Sequence, residues 1–119
     1  MVISILKSKI HRARVTGSEL DYEGSITIDS TLREKARLLI GEKVLVANLT
    51  NGSRVETYVI EGLPHSGTIC MNGAAAHHFR VGDLVIIMSF AHLDEEEAKT
   101  FKPTLVIVDD NNNPVEKKE

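Results

Sequence analysis

A small, mainly β barrel or sandwich is the fold class that the 119-residue sequence predicts. Three observations carry it: several short β-rich runs bounded by turn residues, only two brief helical signals, and no alternation of strand and long helix of the kind that builds a parallel βαβ sheet. A chain of this length forms one domain and buries roughly two thirds of its unfolded surface, so it folds without covalent staples. That domain is expected over residues 1–108. Residues 109–119 are polar, poor in large apolar side chains and expected to form a flexible tail.

The elements follow in order. Residues 2–6 and 9–16 are β-rich, with Ile10, Ala13 and Val15 alternating imperfectly against Lys9, His11, Arg12 and Arg14, and they predict one strand with a bend near Lys7-Ser8. A turn at Gly24-Ser25 leads into a short strand at Ile26-Thr27-Ile28. Thr31 followed three residues on by Glu34 is a capping-box signature, which predicts a helix through Leu32, Ala36, Leu39 and Ile40 ended by Gly41. Residues 44–49 and 55–60 flank Asn51-Gly52, a strong hairpin signal. A strand over 67–71, a turn running into one helical turn at 72–76, a buried strand over 84–90, a short acid-led helix over 94–99 and a last strand over 103–108 complete the list.

Composition narrows the function. Net charge is −3, there is no tryptophan and aromatics make up 4% of the chain, so the basic face and stacking platform of a nucleic-acid binder are both missing. No stretch approaches the roughly 20 apolar residues of a membrane helix, and no apolar run follows a basic start as in a signal peptide. The single cysteine, Cys70, has no partner for an internal disulfide. A cytoplasmic protein is expected.

Several residues have the chemistry of a site. On the second hairpin strand a period of two sets Arg54, Glu56, Tyr58 and Ile60 on one face and Val55, Thr57 and Val59 on the other. Arg54 and Tyr58 lie roughly 13 Å apart along such a strand, within joint reach of one small ligand if the two lean toward each other, although the strand alone favours a solvated face. Asn72-Gly73-Ala74-Ala75-Ala76 is a run of small side chains at a turn-to-helix junction, where free N–H groups take an anion or simply begin a helix. Lys9 and His11 share a strand face and form either a cationic lip or a wetted edge. No pair among His11, His65, His77, His78 and His92 has the helical i, i+4 spacing of a metal site, and none is expected. Gly24-Ser25 is one of three Gly-Ser pairs, with Gly17-Ser18 and Gly52-Ser53, and nothing local separates a turn from a cleavage point.

Taken together, Lys9-x-His11, Tyr22-Glu23-Gly24-Ser25, Thr50-Asn51-Gly52-x-Arg54-x-x-Thr57-Tyr58 and Asn72-Gly73-Ala74-Ala75-Ala76-His77 resemble the pyruvoyl-dependent aspartate 1-decarboxylases in order and spacing, over nearly the whole chain to about Val108. The resemblance implies a double-psi β-barrel with short helices, assembled as a homotetramer with active sites between subunits. It also implies decarboxylation of L-aspartate to β-alanine and CO2 for pantothenate and coenzyme A. By the same pattern the chain cuts itself between Gly24 and Ser25, and Ser25 becomes a covalent pyruvoyl group that serves as electron sink in place of any metal. Carried over residue by residue, Thr57 assists processing and contacts the same region, Tyr58 is the proton donor, and Arg54 clamps a substrate carboxylate with Lys9 adding positive potential. Asn72 and the backbone of Gly73, Ala74 and Ala75 bind the pyruvoyl amide and the substrate, with His11 and Tyr22 in support. The pattern leaves open whether processing is spontaneous or needs an accessory maturation factor. One departure is Ala47, where some members carry a bulky aromatic; it bears on pocket shape. The competing readings are a non-catalytic barrel acting as a binding module and a hydrolase with Ser25 as an ordinary nucleophile, for which the sequence offers no convincing paired base.

Overall fold

Alternating apolar side chains fold the chain into a barrel with its core inside, as seen in a computed structural model that describes residues 1–116. Nine strands run in the order β1 (Val2–Arg14), β2 (Gly17–Glu19), β3 (Ser25–Asp29), β4 (Lys43–Asn48), β5 (Arg54–Gly62), β6 (Ile69–Asn72), β7 (Leu84–Asp94), β8 (Thr104–Val108) and β9 (Pro114–Val115). Their spatial order is β2-β6-β3-β5-β4-β7-β1-β8-β9. Just past β1, the Thr16 N–H donates to the Ile69 carbonyl at 2.8 Å and the Thr16 hydroxyl accepts from the Ile69 N–H at 2.9 Å. Those bonds tie β1 back to β6 and close a six-strand ring, β6-β3-β5-β4-β7-β1, which removes the open edges a flat sheet would leave. Within the ring β3 and β5 are parallel, although β4, which lies between them in sequence, sits on the far side of β5. The closed ring and this crossed connection are the mainly β, double-psi barrel class with short helices that the resemblance implied.

Ile10 and Ala13 of β1, Val15 just beyond it, Ile26 and Ile28 of β3, Val44 and Val46 of β4, Val59, Ile69, Met71, Val85 and Ile87 all point inward and are buried. Val55, Thr57 and Val59 are more covered than Arg54, Glu56 and Tyr58, as the period of two requires. The bend near Lys7-Ser8 is a bulge in the β1–β7 register, and a second bulge after Ile10 puts Arg12 at φ +63°. At the first bulge the Lys7 ammonium reaches both carboxylate oxygens of Glu42 at 2.8 Å and the Arg37 carbonyl at 2.7 Å. The hairpin forms around residues 49–53, with Gly52 at φ +80°.

Three expectations are corrected. The first helix, α1 (Ser30–Lys35), is capped by Asp29 rather than Thr31 and does not run on to Ile40: the Asp29 carboxylate takes the Thr31 N–H at 2.8 Å, and Arg37 at φ +59° breaks the helical path. Leu39 and Ile40 are consequently exposed. The strand β2 is too short to show periodicity and was not expected; it exists because it pairs with β6. Beyond Val108, where a flexible tail was expected, the chain turns and returns as β9 against β8. Asn112 is buried there, its amide joining the Arg14 N–H and carbonyl and the Gly67 carbonyl at 2.7–2.8 Å, so polar residues serve the interior. Residues 117–119 of that tail lie outside the described residues. The second helix, α2 (Glu95–Ala98), and a 3-10 helix (Gly73–His78) fall where the sequence placed helical turns. No helix among the described residues is long and apolar enough to cross a membrane.

Asp29 carries more than the helix cap, because its carboxylate also accepts the His65 N–H at 3.2 Å and the Gly67 N–H at 2.8 Å. Burial works to raise its pKa, but the N–H groups of Gly67, Thr31 and His65 outweigh burial and hold it below the ordinary carboxylate value. A depressed folded-state pKa stabilises the fold above the unfolded-state pKa and loses that contribution as pH falls through the folded value. Asp29→Ala should lower the unfolding free energy by about 2 kcal/mol at neutral pH. Urea midpoints should show the gap to the parent shrinking between pH 5 and pH 2.

Candidate active site

The β3–β6 pairing places Ser25 directly opposite Asn72. The inward partners on these strands are Ile26, Ile28, Ile69 and Met71, so Ser25, Thr27, Cys70 and Asn72 face away from the core. Ser25 and Asn72 are nevertheless buried, 1% and 3% exposed, where the 3-10 helix presses on the Gly24 turn, while Thr27 and Cys70 are half-buried. The Asn72 Nδ2 donates to the Ser25 hydroxyl at 3.0 Å and to the Thr27 hydroxyl at 3.0 Å. The Ser25 hydroxyl donates to the Glu23 carbonyl at 2.9 Å.

Gly73 brings the 3-10 helix onto the Gly-Ser turn. It sits at φ +75°, and a Cβ there would lie 2.7 Å from the Gly24 Cα, 2.8 Å from the Gly24 nitrogen and 3.1 Å from the Tyr22 carbonyl. Both facts demand glycine. Gly24 itself lies outside the left-handed region, and a Cβ on it would meet nothing within 4 Å. Strain at Gly24 therefore does not explain the glycine. The Tyr22 side chain is exposed, Ala74 is exposed and Ala75 packs against the core.

The remaining expected residues lie elsewhere around the barrel. Ile26 pairs with Val59, so the preceding residues, Ser25 and Tyr58, come to the same level on neighbouring strands. Tyr58 is 38% exposed and lines a shallow concavity of about 300 Å³ with Lys43, Glu56 and Thr57. Arg54 is exposed on β5 opposite Ala47 of β4. Lys9 pairs with Met88 of β7 on one side and Leu105 of β8 on the other. His11 lies two residues along the same face, its Nδ1 buried without a partner. Burial first, then the Lys9 and Arg12 charges, push its pKa below the ordinary histidine value, so the ring is neutral near pH 7. Among the described residues Arg54 and Lys9 form no ion pair, and neither Arg54, Thr57 nor Tyr58 hydrogen-bonds to Ser25 or Asn72. A larger concavity of about 370 Å³, between β4 and β7, contains none of the expected site residues. The chain thus gathers Tyr22, Gly24, Ser25, Asn72 and Gly73, and among the described residues leaves Lys9, His11, Arg54 and Tyr58 without a side-chain hydrogen bond to Ser25 or Asn72.

Sequence reasoning passed over Thr27 and Cys70. The Cys70 thiol donates to the Asn72 Oδ1 at 3.4 Å. Their signal was the strand register, which sets Thr27 across from Cys70 and Ser25 across from Asn72.

Fold and site define a β-barrel protein with one serine hydroxyl buried at a Gly-Ser turn and held by an asparagine amide. The aspartate decarboxylase family profile matches residues 1–115. Aspartate 1-decarboxylase of Thermoanaerobacter pseudethanolicus is 58% identical over 111 residues, covering 93% of this chain and 95% of that protein. That of Caldicellulosiruptor saccharolyticus is 59% identical over 115 residues, 97% of this chain and 90% of the other, and that of Bacteroides fragilis 55% over 117 residues, 98% and 100%. The chain belongs to the aspartate decarboxylase family. Two rationally designed mkDPBB proteins of known crystal structure also resemble it, each at 20% identity and a TM-score of 0.49, over 65% and 73% of this chain and 90% and 96% of theirs.

Two glycine substitutions separate fold from site. Gly73→Ala should cost about 1–3 kcal/mol in chemical denaturation, since it combines a strained φ with a backbone clash, whereas Gly24→Ala should match the parent.

Proposed function

We propose that this chain decarboxylates L-aspartate to β-alanine and CO2 after cutting itself between Gly24 and Ser25. The observation that carries this reading is the contrast among the three Gly-Ser pairs. Among the described residues only the Ser25 hydroxyl is buried and accepts a side-chain N–H; the Ser18 hydroxyl merely donates to the Ala76 carbonyl, and Ser53 lies in the hairpin loop. Family membership supports the substrate.

In processing, the Ser25 oxygen leaves the Glu23 carbonyl and attacks the Gly24 carbonyl carbon. The Gly24–Ser25 amide bond breaks as an ester forms and the proton passes to the Ser25 nitrogen. β-Elimination then frees the Gly24 carboxylate and leaves a dehydroalanine, and one water releases ammonia and leaves a pyruvoyl group. The surroundings suit that group, because Asn72 already donates to an oxygen at the Ser25 side chain and Gly73 leaves the turn room. When formed, the group is a carbonyl that condenses with the substrate amine and accepts the electron pair released with CO2.

The other residues act around it. Arg54 holds a substrate carboxylate through its planar fork, and Lys9 adds positive potential. Tyr58, level with Ser25, delivers the proton to the substrate carbon, and Thr57 stabilises the oxyanion at Gly24. The Gly73, Ala74 and Ala75 backbone and Asn72 bind the amide and the substrate. Lys9 and Arg54 have no ion pair and no bond to Ser25 among the described residues, which supports a homotetramer whose sites are completed by a neighbouring copy of the chain. The product feeds pantothenate and coenzyme A.

Two substitutions test the assignment. Ser25→Ala should remain one uncut chain in denaturing mass spectrometry and make no β-alanine; a cut Ser25→Ala chain overturns the ester route. Tyr58→Phe should still yield the fragment ending at Gly24 but lose kcat by about 100-fold, with KM little changed. Full turnover would remove Tyr58 as proton donor.

A further inference from the structure

Four side chains form a two-by-two patch on the outer side of β3 and β6, Ser25 opposite Asn72 and Thr27 opposite Cys70, the first pair buried and the second half-buried. At its centre is the Asn72 amide, whose two ends have different partners. Its nitrogen gives one proton to the Ser25 hydroxyl and one to the Thr27 hydroxyl, and its oxygen accepts from the Cys70 thiol. Ser25 and Thr27 are hydroxyls, which accept or donate, so they alone do not decide which end of the amide faces them. The Cys70 thiol, a weak donor as well as a weak acceptor, faces the amide oxygen and adds a bias toward this orientation. On the other side of β6, Gly17 pairs with Cys70, and a Cβ at position 17 would come 2.9 Å from the sulfur. Glycine there leaves the thiol room beside the Asn72 oxygen.

The orientation matters for the serine. With the amide nitrogen toward it, the Ser25 oxygen accepts from Asn72 and keeps its own proton directed at the Glu23 carbonyl. With the amide reversed, the Ser25 hydroxyl would donate to the Asn72 oxygen and be drawn toward β6, away from the Gly24 carbonyl.

We propose that Cys70, together with Thr27, is a positioning residue for self-cleavage: it fixes the Asn72 amide so that the Ser25 hydroxyl is held on the side of the Gly-Ser turn from which it attacks Gly24. The inference rests on the self-cleavage reading above. Burial first, and the Glu19 carboxylate second, push the thiol pKa up, which keeps the S–H proton in place near neutral pH.

The test follows the full chain made by cell-free synthesis, with the fragment ending at Gly24 timed by denaturing mass spectrometry and thermal melting measured alongside. Cys70→Ser restores a donor and should cut within about twofold of the parent rate, while Cys70→Ala and the near-isosteric Thr27→Val should each cut about fivefold more slowly or worse. Melting temperatures should not follow that order. Cys70→Ala cutting at the parent rate, or Cys70→Ser as slow as Cys70→Ala, overturns the role of the thiol. A slow, early-melting Cys70→Ala beside a Thr27→Val at parent rate assigns Cys70 to structure and overturns it too. A parent chain that never cuts overturns self-cleavage itself, and the proposal with it.

Discussion

The pairing of β3 with β6 is the constraint on which the rest depends. β3 lies between the parallel β5 and the antiparallel β6, and its five residues are almost wholly covered on both faces. One face carries Ile26 and Ile28 into the core, and the other carries Ser25 and Thr27 into a polar patch. A one-residue slip would exchange those faces, placing two hydroxyls in the apolar interior. The core therefore fixes the register, and the register fixes which hydroxyl meets Asn72.

Fixed charges and backbone geometry hold the ends of this strand. Asp29, at its C-terminal end, gathers N–H groups from α1 and from the 65–67 turn, so one carboxylate ties three segments together. At the other end Gly73 lets the 3-10 helix press against Gly24. On the far side of the barrel the Lys7–Glu42 pair joins the first bulge of β1 to the turn after α1. Burial would raise the Glu42 pKa, yet the Lys7 ammonium and the Leu39 N–H outweigh it and hold the carboxylate ionised.

Much of this was legible in the sequence where a pattern is local. The alternation in β5, the turn at Asn51-Gly52 and the helical turn after Asn72 were read from spacing alone. Features set by distant partners were not. β2 has three residues and no period, and it forms because β6 lies beside it. Asp29 displaced Thr31 as helix cap because its carboxylate also serves His65 and Gly67, which are remote in sequence. Asn112 looked like part of a polar tail because its partners, Arg14 and Gly67, lie far back along the chain. In the site, Ser25 and Asn72 were visible through motif resemblance, whereas Thr27 and Cys70 became visible only once the register was known.

Gly24 is where fold and chemistry part. Gly73 must be glycine for packing and backbone reasons, but Gly24 has an ordinary φ and open space where a Cβ would stand. Packing therefore gives no account of glycine at that position. On the proposed reading the account comes from the reaction: the Gly24 carbonyl carbon must be reached by the Ser25 oxygen, and a residue without a Cβ leaves that approach unobstructed and lets the peptide bend as the ester forms. A buried hydroxyl next to a residue with open space where its Cβ would stand is an arrangement the fold supports without requiring, and it is the place where this sequence spends its freedom on chemistry.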